Sequence, residues 1–434
     1  MHFNNTYRRL ATRIALLGAL LLAGCGGGGG DDGGAPPDGG TVPPPAIATV
    51  TLFAGALQPA GSRDGVGAAA QFDTPADVGM DTAGNVYVAD TANNTIRKVA
   101  RDGTVSTLAG AAGQARSADG PGASARFNGP RGVAVDAAGN VYVSDTGNGT
   151  LRRILPSGAV TTIAGVAGQL EIDDGGPGAA RLRGPASIAI DAAGTIYFVE
   201  GLGIRRRAPD GTITTFAGNP GNTSGPTVEG NATQTRFYGP LLSVAVDGSG
   251  NVYVADSPLF SHVGPLGTIR KYDRQGQALP FGTDASGVLP VLFPADIAVD
   301  GAGNVYAASN GVRGTSSQIS VSRSVQKIAP DGRTMTTVSG ADEVRGIPRT
   351  VDGVISIARF MDPRGIAVGP DGRIAVVETS SSAVRLIDVQ QGSVVTLAGG
   401  TGGGEVDGPV ATARFNEPLG LASTADGVLY VADS

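Results

Sequence analysis

The chain has 434 residues, 70 of them glycine, no tryptophan, one cysteine, two histidines and a net charge of −6. The acidic balance argues against nucleic acid, which rewards clustered Lys and Arg. One cysteine excludes an intrachain disulfide, and two histidines, one of them His2, exclude a site that needs several imidazoles.

The chain opens with Arg8, Arg9 and Arg13 ahead of a short apolar run from Ile14 to Ala23. Such a run is too short to span a bilayer and has the layout of an export signal. It ends in Leu22-Ala23-Gly24-Cys25, which resembles the lipobox of bacterial lipoproteins. The resemblance implies that residues 1–24 are a signal peptide and that Cys25 is lipidated. It implies a cell-envelope protein held to the membrane through that lipid alone, and Gly26 points to the outer membrane. Residues 25–47, rich in Gly and Pro, cannot bury apolar surface and are expected to form a disordered tether.

From residue 48 to 434 one phrase recurs. GMDTAGNVYVAD stands at 79–90, AVDAAGNVYVSD at 134–145, AIDAAGTIYFVE at 189–200, AVDGSGNVYVAD at 245–256 and AVDGAGNVYAAS at 298–309. The acids Asp81, Asp136, Asp191, Asp247 and Asp300 are spaced by 55, 55, 56 and 53 residues, and Gly369 and Thr424 continue the series. A fixed period of this length marks a repeat architecture, here of seven units. Each unit holds two apolar, β-branched runs joined by a tight AAGN-type hairpin whose glycine can take positive φ. A third run such as TLRRI (150–154) and a fourth such as VTTIAG (160–165) follow. Four short antiparallel strands repeated seven times predict an all-β fold, a seven-bladed β-propeller.

Counting strands predicts how the ring closes. The last unit stops at VADS, before its third strand, and TVTLFAG (49–55) has no unit before it. The N-terminal strand is therefore expected to close the last blade, with one strand of blade 7 missing and an unpaired edge left there. A truncated record or gene would explain the gap.

A second motif precedes the first strand in six units: DGVGAAAQF (64–72), DGPGASARF (119–127), DGGPGAARL (174–182), EGNATQTRF (229–237), DGVISIARF (352–360) and DGPVATARF (407–415). Constant spacing predicts a fixed local structure. The Asp and Gly would build a turn, Phe127 and its equivalents would plug the core, and Arg126, Arg236, Arg359 and Arg414 would bond loop carbonyls or the repeated acids. The acids that end the second strands, Asp90, Asp145, Glu200, Asp256, Glu378 and Asp433, are expected to cap turns. The competing reading is a ring of cation ligands in the channel.

The stretch PRGVAVDAAGNVYVSDTGNGTLRRI resembles the NHL repeat, and the resemblance runs from about Ala48 to the end of the chain. It implies a propeller and leaves function open, because one fold serves many activities. Similar propellers include peptidyl-hydroxyglycine amidating lyase and virginiamycin B lyase, which lean on histidine, and calcium-dependent gluconolactonases. His262 alone cannot serve the first two. The enzyme alternative that survives is a calcium-dependent lactonase or hydrolase using channel carboxylates, with Glu200 and Glu378 as its distinctive ligands.

Departures from the repeat say more about a ligand than the repeat does. Asp90 to Ile96 is six residues, but Asp256 to Ile269 is thirteen and Ser309 to Val325 is sixteen. With the long segment 341–351, these insertions are expected to form loops on one side of one face, a usual place for recognition. Phe260, His262, Arg313 and Arg345 are the candidate contacts. The favoured expectation is a binding or scaffold module for a protein, peptide or glycan, without a required cofactor.

Overall fold

The computed structural model describes residues 61–433, with interruptions of which the longest are 222–234, 257–267, 282–293 and 400–407, together with the strands Thr12–Ala15 and Thr49–Leu52. The expected signal and tether otherwise lie outside the described residues, Cys25 included. Among the described residues no helix is long and apolar enough to cross a membrane.

Blade 2 shows the building plan. Pro130–Val135, Val141–Asp145, Thr150–Ile154 and Val160–Ala164 pair antiparallel in chain order. The first hairpin turns on Asp136. Its Oδ1 accepts from the Asn140 amide at 2.8 Å, and its Oδ2 accepts from Asn140 Nδ2 at 2.7 Å and from the Tyr142 hydroxyl at 3.0 Å. Gly139 takes φ 78° in this turn. The repeated Asp, Asn and Tyr are thus one hairpin clamp, and it recurs at Asp81, Asp247 and Asp300.

Five more blades follow the same plan, with first strands at Pro75–Met80, Ile188–Ile190, Leu241–Val246, Pro294–Val299 and Pro363–Val368. Every residue of the second strands Val86–Asp90, Val141–Asp145, Ile196–Glu200, Val252–Asp256 and Ile374–Glu378 is buried. Each blade is covered on both faces by its neighbours, which is why these strands read as continuous apolar runs. The core lies between blades. Phe127 of blade 2 and Leu182 of blade 3 are fully buried in two such clusters.

The first strands lie side by side around the ring. Six blades are each built from contiguous chain, where the repeat predicts seven. The remaining sheet is composite, ordered Gly408–Pro409, Thr49–Leu52, Thr12–Ala15, Leu429–Asp433, Pro418–Ser423. Its first strand, Pro418–Ser423, lies against both Pro363–Val368 and Pro75–Met80. The unpaired edge expected in this sheet is absent among the described residues. Thr12–Ala15, assigned by sequence to the export signal, pairs with Leu429–Asp433 on one side and Thr49–Leu52 on the other. An open edge presents a row of free N–H and C=O groups, and a short β-capable segment of the same chain satisfies them.

Candidate functional site

The repeated acids assemble around four buried arginines that the sequence reading did not single out. Arg97, Arg152, Arg205 and Arg385, from the third strands, are fully buried. Arg152 Nη1 lies 3.0 Å from Asp145 Oδ2, and its Nη2 lies 2.7 Å from Asp119 Oδ1. Arg97 bridges Asp90 at 2.9 Å and Asp64 at 2.7 Å. Arg385 bridges Glu378 at 2.9 Å and Asp352 at 2.8 Å, and Arg205 bridges Glu200 and Asp174. Each guanidinium also donates to backbone carbonyls, as Arg152 does to Arg126 O and Ala118 O. The plug ring completes the clasp: Arg152 Cζ stands 4.9 Å from the centre of Phe127, and Arg97 Cζ stands 4.9 Å from that of Phe72. A buried arginine is tolerated only when its charge and donors are matched, and two acids plus carbonyls do this.

The acids of the second motif therefore meet a strand arginine rather than the motif's own. Arg126 and Arg359 bond nearby carbonyls, Ala123 O and Ala125 O for the first, Ile357 O and Ala358 O for the second. Burial opposes ionisation of Asp64, but bonds from the Thr107 amide, Arg97 and the Thr107 hydroxyl outweigh it, and its pKa lies below the usual value. Deeper in the clasp, burial lifts Asp90 to about 6 and raises Asp145 and Glu200.

The acids ending the second strands do bind turns. Asp90 accepts from the Asp73 amide and Asn93 Nδ2, and Asp145 accepts from the Asn128 amide and Asn148 Nδ2. Glu200 accepts from the Arg183 amide and Arg205, and Glu378 from the Met361 amide and Arg385. Asp256 faces Arg270 Nε at 3.7 Å. Both oxygens of Glu200 and of Glu378 are thus already engaged. Among the described residues no group of three or more His, Cys, Asp or Glu stands together to hold a metal ion.

Two further carboxylates, unflagged in the sequence, lie on the innermost strands. Asp77 and Asp296 hold the same register position in blades 1 and 5, at the bulge after the strand's proline. Blades 2 and 6 hold Gly132 and Gly365 there. A Cβ at Gly132 would come within 2.3 Å of the Ala186 carbonyl oxygen, so that blade requires the glycine. Asp77 Oδ1 accepts from the Val78 amide at 2.9 Å, and Oδ2 from the Val133 amide of blade 2 at 2.9 Å. Asp296 does the same with Ile297 at 2.8 Å and Ile366 of blade 6 at 3.1 Å. Burial, with the charge of Asp296 adding to it, pushes Asp77 up to about 7, and burial raises Asp296 to about 6. These groups tie adjacent blades across the inner ring. The sequence sign was Asp where other copies read Gly.

The insertion in blade 5 is not a loop. Its second, third and fourth strands are Val305–Thr315, Gln318–Ile328 and Met335–Val344, two of eleven residues and one of ten, where blade 2 uses five. The second and third pair without a break from Val305↔Ile328 to Thr315↔Gln318, and the third pairs with the fourth as far as Ser320↔Val344, with one bulge between Val325 and Gln326. The six residues past Ser309 project about 20 Å from the face on which the other second strands end. Arg313 lies on this arm, opposite Ser320. Phe260, His262 and Arg345 lie outside the described residues.

Fold and clasp together define a propeller with an internal repeat. A family model described as the NHL repeat matches residues 72–99 and 127–154, from each plug phenylalanine to the end of the third strand. The chain is an NHL-repeat β-propeller. It is 37% identical over 83 residues to Protein SUPPRESSOR OF QUENCHING 1, chloroplastic, of Arabidopsis thaliana, covering 19% of this chain and 8% of that one. It is 38% identical over 85 residues to NHL repeat-containing protein 3 of Mus musculus, covering 19% and 22%. The chain thus matches less than a quarter of the length of each of these two relatives. Among solved structures, a streptogramin B lyase superposes with a TM-score of 0.46 at 14% identity, covering 83% of this chain and 93% of that chain.

Proposed function

We propose that this protein is a lipid-anchored binding module of the cell envelope, in which Gly408–Pro409, Thr49–Leu52, Leu429–Asp433 and Pro418–Ser423 serve as the seventh blade once cleavage before Cys25 has removed Thr12–Ala15. Its ligand is a protein or peptide that docks on the face bearing the blade 5 arm. The arm carries this reading. The clasps and hairpin clamps hold the blades rigid, and among the described residues one blade alone extends three strands beyond its neighbours. Past Ser309, among the described residues, the strand Val305–Thr315 pairs only with Gln318–Ile328, because Pro294–Val299 pairs no further than Ser309. An open backbone edge of this kind can take up an extended segment as an added strand. The absence of tryptophan turns the reading away from a glycan stacked on aromatic rings.

The calcium-dependent hydrolase has weaker support, since Glu200 and Glu378 are committed to arginines. The test replaces residues 310–323 with the short TGNG turn of blade 2 and places a photo-crosslinking residue at position 313 of the intact arm. On cells, the intact protein should give one adduct of defined mass. Excess armless protein, still melting cooperatively, should fail to compete for it. Competition by the armless protein, or no adduct, would overturn the reading.

A further inference from the structure

The first residue of each second strand faces a residue at, or in blade 6 one before, the end of the third strand. The pairs are Val86↔Val99, Val141↔Ile154, Val252↔Tyr272, Val305↔Ile328 and Ile374↔Ile387. In blade 3 the pair is Ile196↔Arg207. Val99, Ile154, Tyr272, Ile328 and Ile387 are all buried in the core, so one arginine occupies a position that packing elsewhere gives to a large apolar or aromatic side chain.

Arg207 reaches into the crevice between blades 3 and 2. Its Nε donates to Ile163 O of blade 2 at 3.1 Å, and its Nη1 donates to Ala208 O at 3.3 Å. Burial lowers its pKa; of the nearby groups Tyr142 and Asp210 raise it and Arg153 of blade 2 lowers it. Arg153 sits on blade 2 between Tyr142 and Thr161, its register partners on either side. Arg153 Nε and Thr161 Oγ1 are both buried and have no hydrogen-bond partner. Of the acids near by, Asp210 acts on Arg207 through space without forming an ion pair. Asp136 accepts from Asn140 and Tyr142, and Asp210, exposed, accepts from the Thr212 amide. Neither Arg153 nor Arg207 forms an ion pair among the described residues.

Two like charges in one crevice, beside an orphaned N–H and an orphaned hydroxyl, call for a negative partner. We propose that Arg153, Thr161 and Arg207 form a binding site for a small oxyanion, a phosphate, sulfate or carboxylate group. Arg153, Thr161 and Arg207 are each only partly buried, so the crevice is open to solvent. The site is separate from the arm and does not depend on what the arm binds.

Thermal melts of the protein in phosphate, sulfate or acetate, each against chloride at matched ionic strength, test this. The wild type should be stabilised saturably by millimolar phosphate or sulfate if the group is tetrahedral, and by acetate if it is a carboxylate. Arg207→Ile restores the residue of blade 2, and Arg153→Lys restores that of blade 1. Each should weaken anion binding about tenfold or more, the worth of one charge-assisted bond. In chloride alone, Arg207→Ile should melt higher than the wild type, because repulsion is gone. No saturable shift in the wild type, an equal shift in Arg207→Ile, or a lower melt of Arg207→Ile in chloride would each overturn the proposal.

Discussion

In blade 5 the Ser309 hydroxyl donates to Gln326 Oε1 at 3.4 Å, in the place where other blades set an acid against an arginine. The two changes come together. The same blade also lacks the DG acid before its first strand. All three members of the clasp are gone at once, as expected if a lone buried charge is worse than none.

Breaking one member of an intact clasp should therefore cost more than replacing the pair. Asp145→Ser leaves Arg152 buried without its inner acid and should destabilise by about 3–5 kcal/mol. Asp145→Ser with Arg152→Gln copies blade 5 and should be milder than the two single changes added. Denaturant melts of the four proteins check this, and strict additivity would show that the pair is not coupled.

The plug rings should rank by size and ring. Phe127 is fully buried, and Phe127→Ala should cost about 3–5 kcal/mol. Phe127→Leu copies Leu182 of blade 3, where no ring lies under the arginine, and should cost less than about 1.5 kcal/mol. Equal losses in the two variants would contradict the packing described for this cluster.

Asp77 and Asp296 predict a pH dependence of definite sign. Their folded pKa values, about 7 and about 6, lie above the unfolded value of roughly 3.9. Their contribution to stability is fully present below about pH 4 and is lost as pH rises through those folded values. Asp77→Asn, which cannot ionise, should flatten the fall in stability across that window. A wild-type stability that instead rises between mildly acid and neutral pH, unaltered by Asp77→Asn, would rule this out.

Calorimetric titration of calcium into protein treated with EDTA should give no heat that depends on Glu200 or Glu378. A tight site lost in Glu200→Gln or Glu378→Gln would mean that the arginines release these acids to a metal.

Much of the fold was legible because each blade is written in residues whose roles are local. The Asp-Gly-Asn-Tyr hairpin of 136–142 and the plug at Phe127 can be read within one unit. The clasp was harder. Asp119 and Arg152 lie 33 residues apart, and the arginine of TLRRI looks like any exposed strand cation until the neighbouring loop folds over it. Arg207 was hidden in the same way, within a run of three arginines whose inward and outward members only the strand register separates. The arm was misjudged as loop because NGVRGTSSQISVSRS is rich in Gly and Ser, which disfavour strands in isolation. Pairing on to Met335–Val344 overrides that preference.

The composite sheet also orders events in time. Thr49–Leu52 is synthesised long before its sheet partner Gly408–Pro409. Six blades lie between these two segments and can form as the polypeptide emerges, but this latch must wait for Gly408–Pro409. Joining such distant segments costs entropy that grows only as the logarithm of their separation, so the long span takes little from stability. Its effect is kinetic. Until that pairing forms, the ring leaves two strand edges open.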